Sequence, residues 1–218
     1  MHFLLDPVNY DLADPSSVPN LLVQHLMIVG TSMLIAIVIA LPIGAAIARH
    51  RRIYLPVITV AGLLYTIPGL ALLAFLVPVT GLNATTIIIP LILYAQLVLI
   101  RNTTAAIQAV DPVLLETARA VGMTRGQILR RVVTPLALPL VVAGVRIATV
   151  TTIGIASLAS LVGAGGLGDL IFSSIQNTNY DEVLGGAIVI GALAVAIDFL
   201  LLAVQRALNR GRLPVSAS

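Results

Sequence analysis

The stretch Ser160–Ile171, "SLVGAGGLGDLI", decides the fold, because it can be read in two incompatible ways. Gly163, Gly165 and Gly168 spell G-x-G-x-x-G, the fingerprint of a dinucleotide-binding turn. That turn needs a strand before it and a helix after it, inside a βαβ unit. Here it follows Leu138–Val162, an apolar run longer than the roughly 20 residues that cross a bilayer. Without its strand the glycine pattern is a weak match. The physical alternative is a compact connection. Glycine accepts positive φ and close backbone approach, and irregular backbone at membrane depth is tolerated where it is buried in protein or lines a cavity. The stretch then reads as a tight or re-entrant turn between two spans.

The composition supports the membrane reading. Of 218 residues, 59% are hydrophobic and only 10% are charged, and the mean hydropathy is +1.07. A soluble domain of this size has to present a charged exterior. Five apolar runs are long enough to span: Leu21–Ala48, Leu55–Val77, Ala84–Ile107, Leu138–Val162 and Val183–Leu208. They predict an all-α polytopic membrane protein with five transmembrane helices. Residues 1–20 carry Asp6, Asp11 and Asp14 and no basic stretch, unlike a cleavable signal peptide. Cysteine is absent, which excludes disulfides and thiolate chemistry. His2, His25 and His50 are isolated in the sequence and suggest no metal cluster.

All twelve basic residues are arginine. A pI near 9.8 would suit nucleic acid, but the arginines cluster between apolar runs, as in cytoplasmic membrane loops. One cluster is Arg49, Arg51 and Arg52, the second is Arg119, Arg125, Arg130 and Arg131, and the third is Arg206, Arg210 and Arg212. Five spans put all of these on one side, which the positive-inside rule makes the cytoplasm. The other side holds the acidic N-terminus, the Pro78–Asn83 turn and the Asp169–Glu182 region, without arginine. The N-terminus is therefore expected outside and the C-terminus inside. The expected organisation is an extracytoplasmic segment 1–20, a single membrane domain 21–208 and a cytoplasmic tail 209–218. A P-loop needs its lysine on the phosphates, and this chain has none.

The loop Val110–Pro139, "VDPVLLETARAVGMTRGQILRRVVTPLALP", is the most informative segment. Asp111 can cap a helix with Pro112 in its first position. Val113, Leu114, Leu115, Ala118 and Val121 give it apolar contact surface, and Gly122 is a natural stop. Thr124 and Gln127 have capping-box spacing for a second short helix, with Ile128, Leu129 and Val132 on its apolar face and Pro135 as its expected breaker. An apolar surface on the cytoplasmic side fits a protein partner or lipid headgroups.

"ETARAVG", Glu116–Gly122, followed after nine residues by "VVTP", Val132–Pro135, resembles the EAA loop of permease subunits in bacterial ABC importers. Glu116, Ala118, Gly122 and Pro135 match that family's pattern, while Thr117, Val132 and Thr134 depart from it. The resemblance implies a type I importer permease fold whose cytoplasmic coupling helix lies between helices 3 and 4. It implies that Glu116, Thr117, Ala118, Val121 and Gly122 dock on an ATPase. "TIPGLALLAFLVP" (66–78), "RNTTAAIQAVDP" (101–112), "PLALPLVVAGVRIATV" (135–150) and the glycine stretch are similar to permeases for osmoprotectants such as glycine betaine, choline, carnitine or proline betaine. The glycine stretch is also similar to methionine permeases, so methionine or another small solute stays open. The implied partners are two ATPase subunits, which bind the ATP and magnesium, a second permease, identical or paralogous, and an extracytoplasmic substrate-binding protein. This chain would then be a non-catalytic membrane subunit without a cofactor of its own, and would bind no nucleic acid.

Several intramembrane residues carry two readings each. Pro68-Gly69 predicts a kink in the second span, either a gate or a packing feature. Thr149, Thr152, Ala156 and Ser160 recur on one helical face and either line a pathway or pack helices. Tyr65 and Tyr94 either offer π-faces to a quaternary ammonium or anchor the interface. Gly185, Gly186, Gly191, Ala192 and Ala196 are candidate close-approach positions. Asp198 lies roughly 15 Å from the cytoplasmic end of its span, and Arg146 about 12 Å into its own. The similar depth predicts an ion pair, within the chain or across a permease dimer. The alternative is an arginine that snorkels to the interface.

Two other classes remain. A membrane-embedded enzyme would need convergent acids, histidines or metal ligands, which the apolar runs lack. A secondary transporter works without ATP and would have no use for an ATPase dock.

Overall fold

A computed structural model describes residues 2–209 of the chain. The side chains of His2 and Arg51, together with Arg210, Arg212 and all of the expected tail beyond Asn209, lie outside the described residues. Among the described residues all regular structure is helical. In chain order the helices are α1 His2–Leu5, α2 Val18–Arg49, α3 Arg51–Thr66, α4 Gly69–Thr80, α5 Ala84–Gln108, α6 Pro112–Ala120, α7 Arg125–Ile128, α8 Thr134–Ile155, α9 Asp169–Gln176 and α10 Tyr180–Asn209. A 3-10 turn, Pro7–Tyr10, follows α1. A second 3-10 segment, Ala156–Val162, extends α8 up to the glycine stretch, so no strand precedes those glycines and the dinucleotide reading is excluded.

Four helical stretches are long and apolar enough to cross a membrane: α2, α5, the run Arg125–Val162 and α10. A fifth crossing is possible only if α3 and α4, bent by 88°, count as one. The kink expected at Pro68-Gly69 is thus a full break. Its cause is local. The residue before a proline is pushed out of the α region, and Ile67 sits at φ −67°, ψ 124°. Pro68 is extended as well, at φ −60°, ψ 136°.

Pro135 behaves in the opposite way. It was expected to end the second loop helix, yet the helix runs from Arg125 to Val162 without interruption. A π-helical turn, Leu129–Val133, ends two residues before it. There the Thr134 N–H donates to the Leu129 carbonyl, five residues back. The wider turn carries the chain past the proline, which cannot donate and would clash in a regular α ladder.

The bundle is built on α2 packed along α5, with α5 in turn against α8, and α8 against α10. Ser32, Ala36, Ala40 and Gly44 recur every fourth residue on α2 and are all buried. Such a small-residue seam lets helix backbones approach closely. A Cβ at position 44 would fall 2.7 Å from Thr103 Cβ. Polar side chains of α5 reach the exposed backbone of the seam: Gln96 Nε2 donates to the Ala36 carbonyl at 3.3 Å and Thr104 Oγ1 to the Gly44 carbonyl at 3.2 Å. Ile47, Ile87, Leu91, Leu99 and Ile153 fill the core around it. The small residues of α10 divide. Gly185 and Gly186 are buried, while Gly191, Ala192 and Ala196 face outward. The outer surface is apolar, with Leu34, Val38, Phe75, Val79 and Phe199 exposed, as a lipid-facing surface requires.

Candidate functional site

Two regions bring the predicted residues together. The first is the loop between α5 and α8. Asp111 Oδ1 accepts the Val113 N–H at 2.8 Å and starts α6. At its other end Gly122 takes φ +82°. The Gly122 N–H donates to the Arg119 carbonyl and the Met123 N–H to the Ala118 carbonyl, both at 3.0 Å. This pair of bonds is the Schellman closure. Thr124 and Gln127 form a reciprocal capping box: the Thr124 N–H donates to Gln127 Oε1 at 2.8 Å and the Gln127 N–H to Thr124 Oγ1 at 3.4 Å. The product is a rigid helix, a bend and a second helix that merges into α8.

The faces of α6 differ from the expected ones. Ala118 is buried and Leu115 packs on the cluster of Ala106, Val110 and Ala137. The helical period explains this, since positions 115 and 118 share a face and that face is turned to the body of the protein. The exposed apolar side chains are Val113, Leu114 and Val121, with Glu116, Thr117 and Gly122 also exposed. Ala118 therefore supports the loop from below and offers no contact surface.

The second region is the break between α3 and α4. An open cleft of about 440 Å³ is lined by Tyr65, Pro68, Gly69, Tyr94, Gly154 and Ser157, among others. Tyr94 is buried, and its hydroxyl donates to the Ile67 carbonyl at 2.8 Å, a group that the break frees from helical pairing. The Tyr65 and Tyr94 rings meet edge to face, with centroids 5.9 Å apart. Thr149 and Thr152 do not line this cleft. Their hydroxyls donate to the Val145 and Ala148 carbonyls, and Thr152 also touches Met33 Sδ at 3.4 Å. Ser160 lies on the 3-10 segment, where the helical spacing that placed it with the threonines no longer holds.

Two more clusters flank these regions. Arg146 on α8 donates from Nε to Asp198 Oδ1 at 3.0 Å and from Nη2 to Asp198 Oδ2 at 2.8 Å. Its Nη1 donates to Gln205 Oε1 at 2.8 Å. The structure thus brings Arg146 and Asp198 together within one chain, in bidentate geometry, with Gln205 as a partner that the sequence reading did not name. At the other end of the bundle, Gly163, Gly165 and Gly166 all take positive φ. The Gly166 N–H donates to Gln24 Oε1 at 3.0 Å. The neighbouring His25 is fully buried, and its Nε2 lies 3.1 Å from the Ile153 carbonyl. A carbonyl only accepts, so Nε2 carries the proton. Gln24 fastens the glycine turn to α2, and His25 fastens α8 to it.

Comparison with known proteins accounts for this arrangement. Residues 32–213 match the family described as "Binding-protein-dependent transport system inner membrane component". The chain belongs to that family. This inner membrane component is 40% identical over 210 residues to the carnitine transport permease protein OpuCD of Listeria monocytogenes, covering 96% of this chain and 94% of that one. It is likewise 40% identical to the choline transport system permease protein OpuBD of Bacillus subtilis, covering 96% and 93% of the two chains. It is 36% identical to the osmoprotectant import permease protein OsmW of Salmonella typhimurium, covering 90% and 94%. Among solved structures, inward-facing conformations of the MetNI methionine ABC transporter superpose with a TM-score of 0.76 at 26% identity, covering 85% of this chain and 93% of that chain. As a transport-system membrane component, the chain is a permease subunit of an ABC importer located in the membrane.

Proposed function

We propose that this permease subunit carries osmoprotectants of the quaternary-ammonium class, such as glycine betaine, choline, carnitine or proline betaine. The observation that carries the reading is the near full-length likeness to permeases named for carnitine and choline. The open cleft beside the α3–α4 break supports it. Tyr65 and Tyr94 both line it, and a tyrosine ring face attracts a cation that cannot donate hydrogen bonds. Pro68 and Gly69 form the corner of the same cleft, so a change in the 88° bend would alter its width. Thr149, Thr152 and Ser160 belong to the wall behind it.

The arginine clusters support a cytoplasmic position for the α6–α7 loop, with the N-terminus outside, the C-terminus inside and α3–α4 counted as the second of five spans. In this orientation the exposed Val113, Glu116, Thr117, Val121 and the Gly122 bend form the dock for an ATPase. Two ATPase subunits bind ATP and magnesium and drive the pair of permeases, while an extracytoplasmic binding protein delivers solute. The Arg146–Asp198 pair holds α10 to α8 while the other spans move.

The likeness to the methionine transporter structure favours one second reading, a methionine permease. Uptake of labelled glycine betaine, choline and methionine by the reconstituted complex separates the two. Uptake of a quaternary ammonium that unlabelled methionine does not compete is the expected result. Uptake of methionine alone would replace the first reading with the second.

A further inference from the structure

A further cleft belongs to neither region above. It measures about 770 Å³ and lies between the end of α2, the end of α5 and the α6–α7 loop. Its charged rim is Arg49, Arg119 and Arg125, and its apolar wall includes Leu115, Ile128 and Val133. Among the described residues no carboxylate lines it, and none of the three arginines has an ion-pair partner. Like charges gathered without a counter-charge repel one another and favour an anionic occupant. An apolar wall directly beneath them would be wasted on a free anion but suits one that carries hydrocarbon.

The position narrows the occupant further. Arg49 ends α2 and Arg125 begins the helix that merges into α8, so the rim sits where membrane helices emerge. Pro112, Leu115 and Arg119 face the cleft from α6, whereas the exposed apolar residues Val113 and Val121 lie on the far side of that helix. Val113 and Val121 are therefore on a different face of α6 from the cationic cleft.

We infer that this cleft binds an anionic phospholipid of the cytoplasmic leaflet, with the phosphate on Arg49, Arg119 and Arg125 and the acyl chains against Leu115, Ile128 and Val133. The inference rests on the proposed orientation of the loop. A bound lipid here would link the end of α2 to the loop through a shared headgroup.

The test uses the complete importer reconstituted in phosphatidylcholine containing phosphatidylglycerol. Spin-labelled phosphatidylglycerol should show a motionally restricted fraction in excess of that of spin-labelled phosphatidylcholine. Changing Arg49, Arg119 and Arg125 to Gln should lower this selectivity by about five-fold per arginine, which corresponds to about 1 kcal/mol each. Lysine at the same positions keeps the charge and should retain most of it. Undiminished selectivity in the triple glutamine variant would overturn the inference. So would a photocrosslinker at Arg125→Cys, in a chain with no other cysteine, that recovers only the ATPase and never phosphatidylglycerol. Labelling of the same cysteine by an impermeant maleimide from outside right-side-out vesicles would instead sink the orientation, a failure distinguishable from loss of lipid selectivity.

Discussion

Gly122 offers a perturbation whose size can be worked out from the backbone alone. The residue sits at φ +82°, and a Cβ placed there meets nothing within 4 Å. Any effect of substitution must therefore come from the conformation and not from crowding. An L-residue in the left-handed region costs roughly 1–2 kcal/mol, and asparagine is the exception that tolerates it. A β-branched residue lies at the costly end. Converted at 1.4 kcal/mol per ten-fold, alanine should reduce the population of the closed bend about five-fold and valine roughly thirty-fold. The order of function is then glycine, asparagine, alanine, valine, which is not the order of size. The assay is the ratio of solute taken up to ATP hydrolysed in proteoliposomes containing the whole importer. The ratio should fall along that series, while ATPase activity persists because the ATPase is a separate chain. Coupling that tracks side-chain volume, with asparagine worse than alanine, would refute the reasoning. So would a valine variant that couples like wild type.

Tyr94→Phe removes the hydroxyl that satisfies the Ile67 carbonyl, a loss of about 0.5–1.5 kcal/mol. Amide exchange across residues 64–70 should accelerate by about two- to ten-fold, read by hydrogen–deuterium mass spectrometry. Asp198→Asn or Arg146→Gln breaks the bidentate pair and should lower both membrane insertion and uptake, measured as membrane-fraction yield and transport. Exchanging the two residues should recover part of the loss, and a swap worse than either single change would count against the pair. Gly44→Leu drives a side chain into Thr103 and should destabilise the α2–α5 contact by about 1–3 kcal/mol, seen as a lower melting temperature in detergent.

The long spans were legible because length and hydropathy alone mark them, and α2, α5 and α10 begin and end within a few residues of the expected limits. The loop caps were equally legible, because Asp111, Gly122, Thr124 and Gln127 act on backbone groups at most five residues away. What the sequence hid depends on distant partners. Pro68 announces a kink, but the full break is held by Tyr94, 27 residues from the carbonyl it caps. Gln24 carries no mark of its bond to Gly166, 142 residues away. The Ser32–Gly44 seam has a readable spacing, yet α10 shows comparable small residues. Only the tertiary arrangement decides that the first stripe is buried and that most of the second faces outward. Ala118 matches the motif expected to face an ATPase, and its burial depends on α6 folding against the helix that follows it, which is set only in the folded chain.

The π turn at Leu129–Val133 sets a rotational phase. The stretch Arg125–Val162 is a continuous rod of 38 residues, roughly 57 Å long at 1.5 Å per residue. Its lower end carries the capped loop and its upper end meets the glycine turn fastened to α2. A helix advances about 100° per residue, and the π turn holds one residue more than an α turn would. Deleting that residue would twist everything before it by about a quarter revolution relative to everything after it. The loop would keep its internal caps, yet the side of α6 that carries Leu115 would lose its register against Ala137. The angular setting between loop and span is thus stored in five residues, and a single-residue deletion there would detune the rod while leaving both of its ends chemically intact.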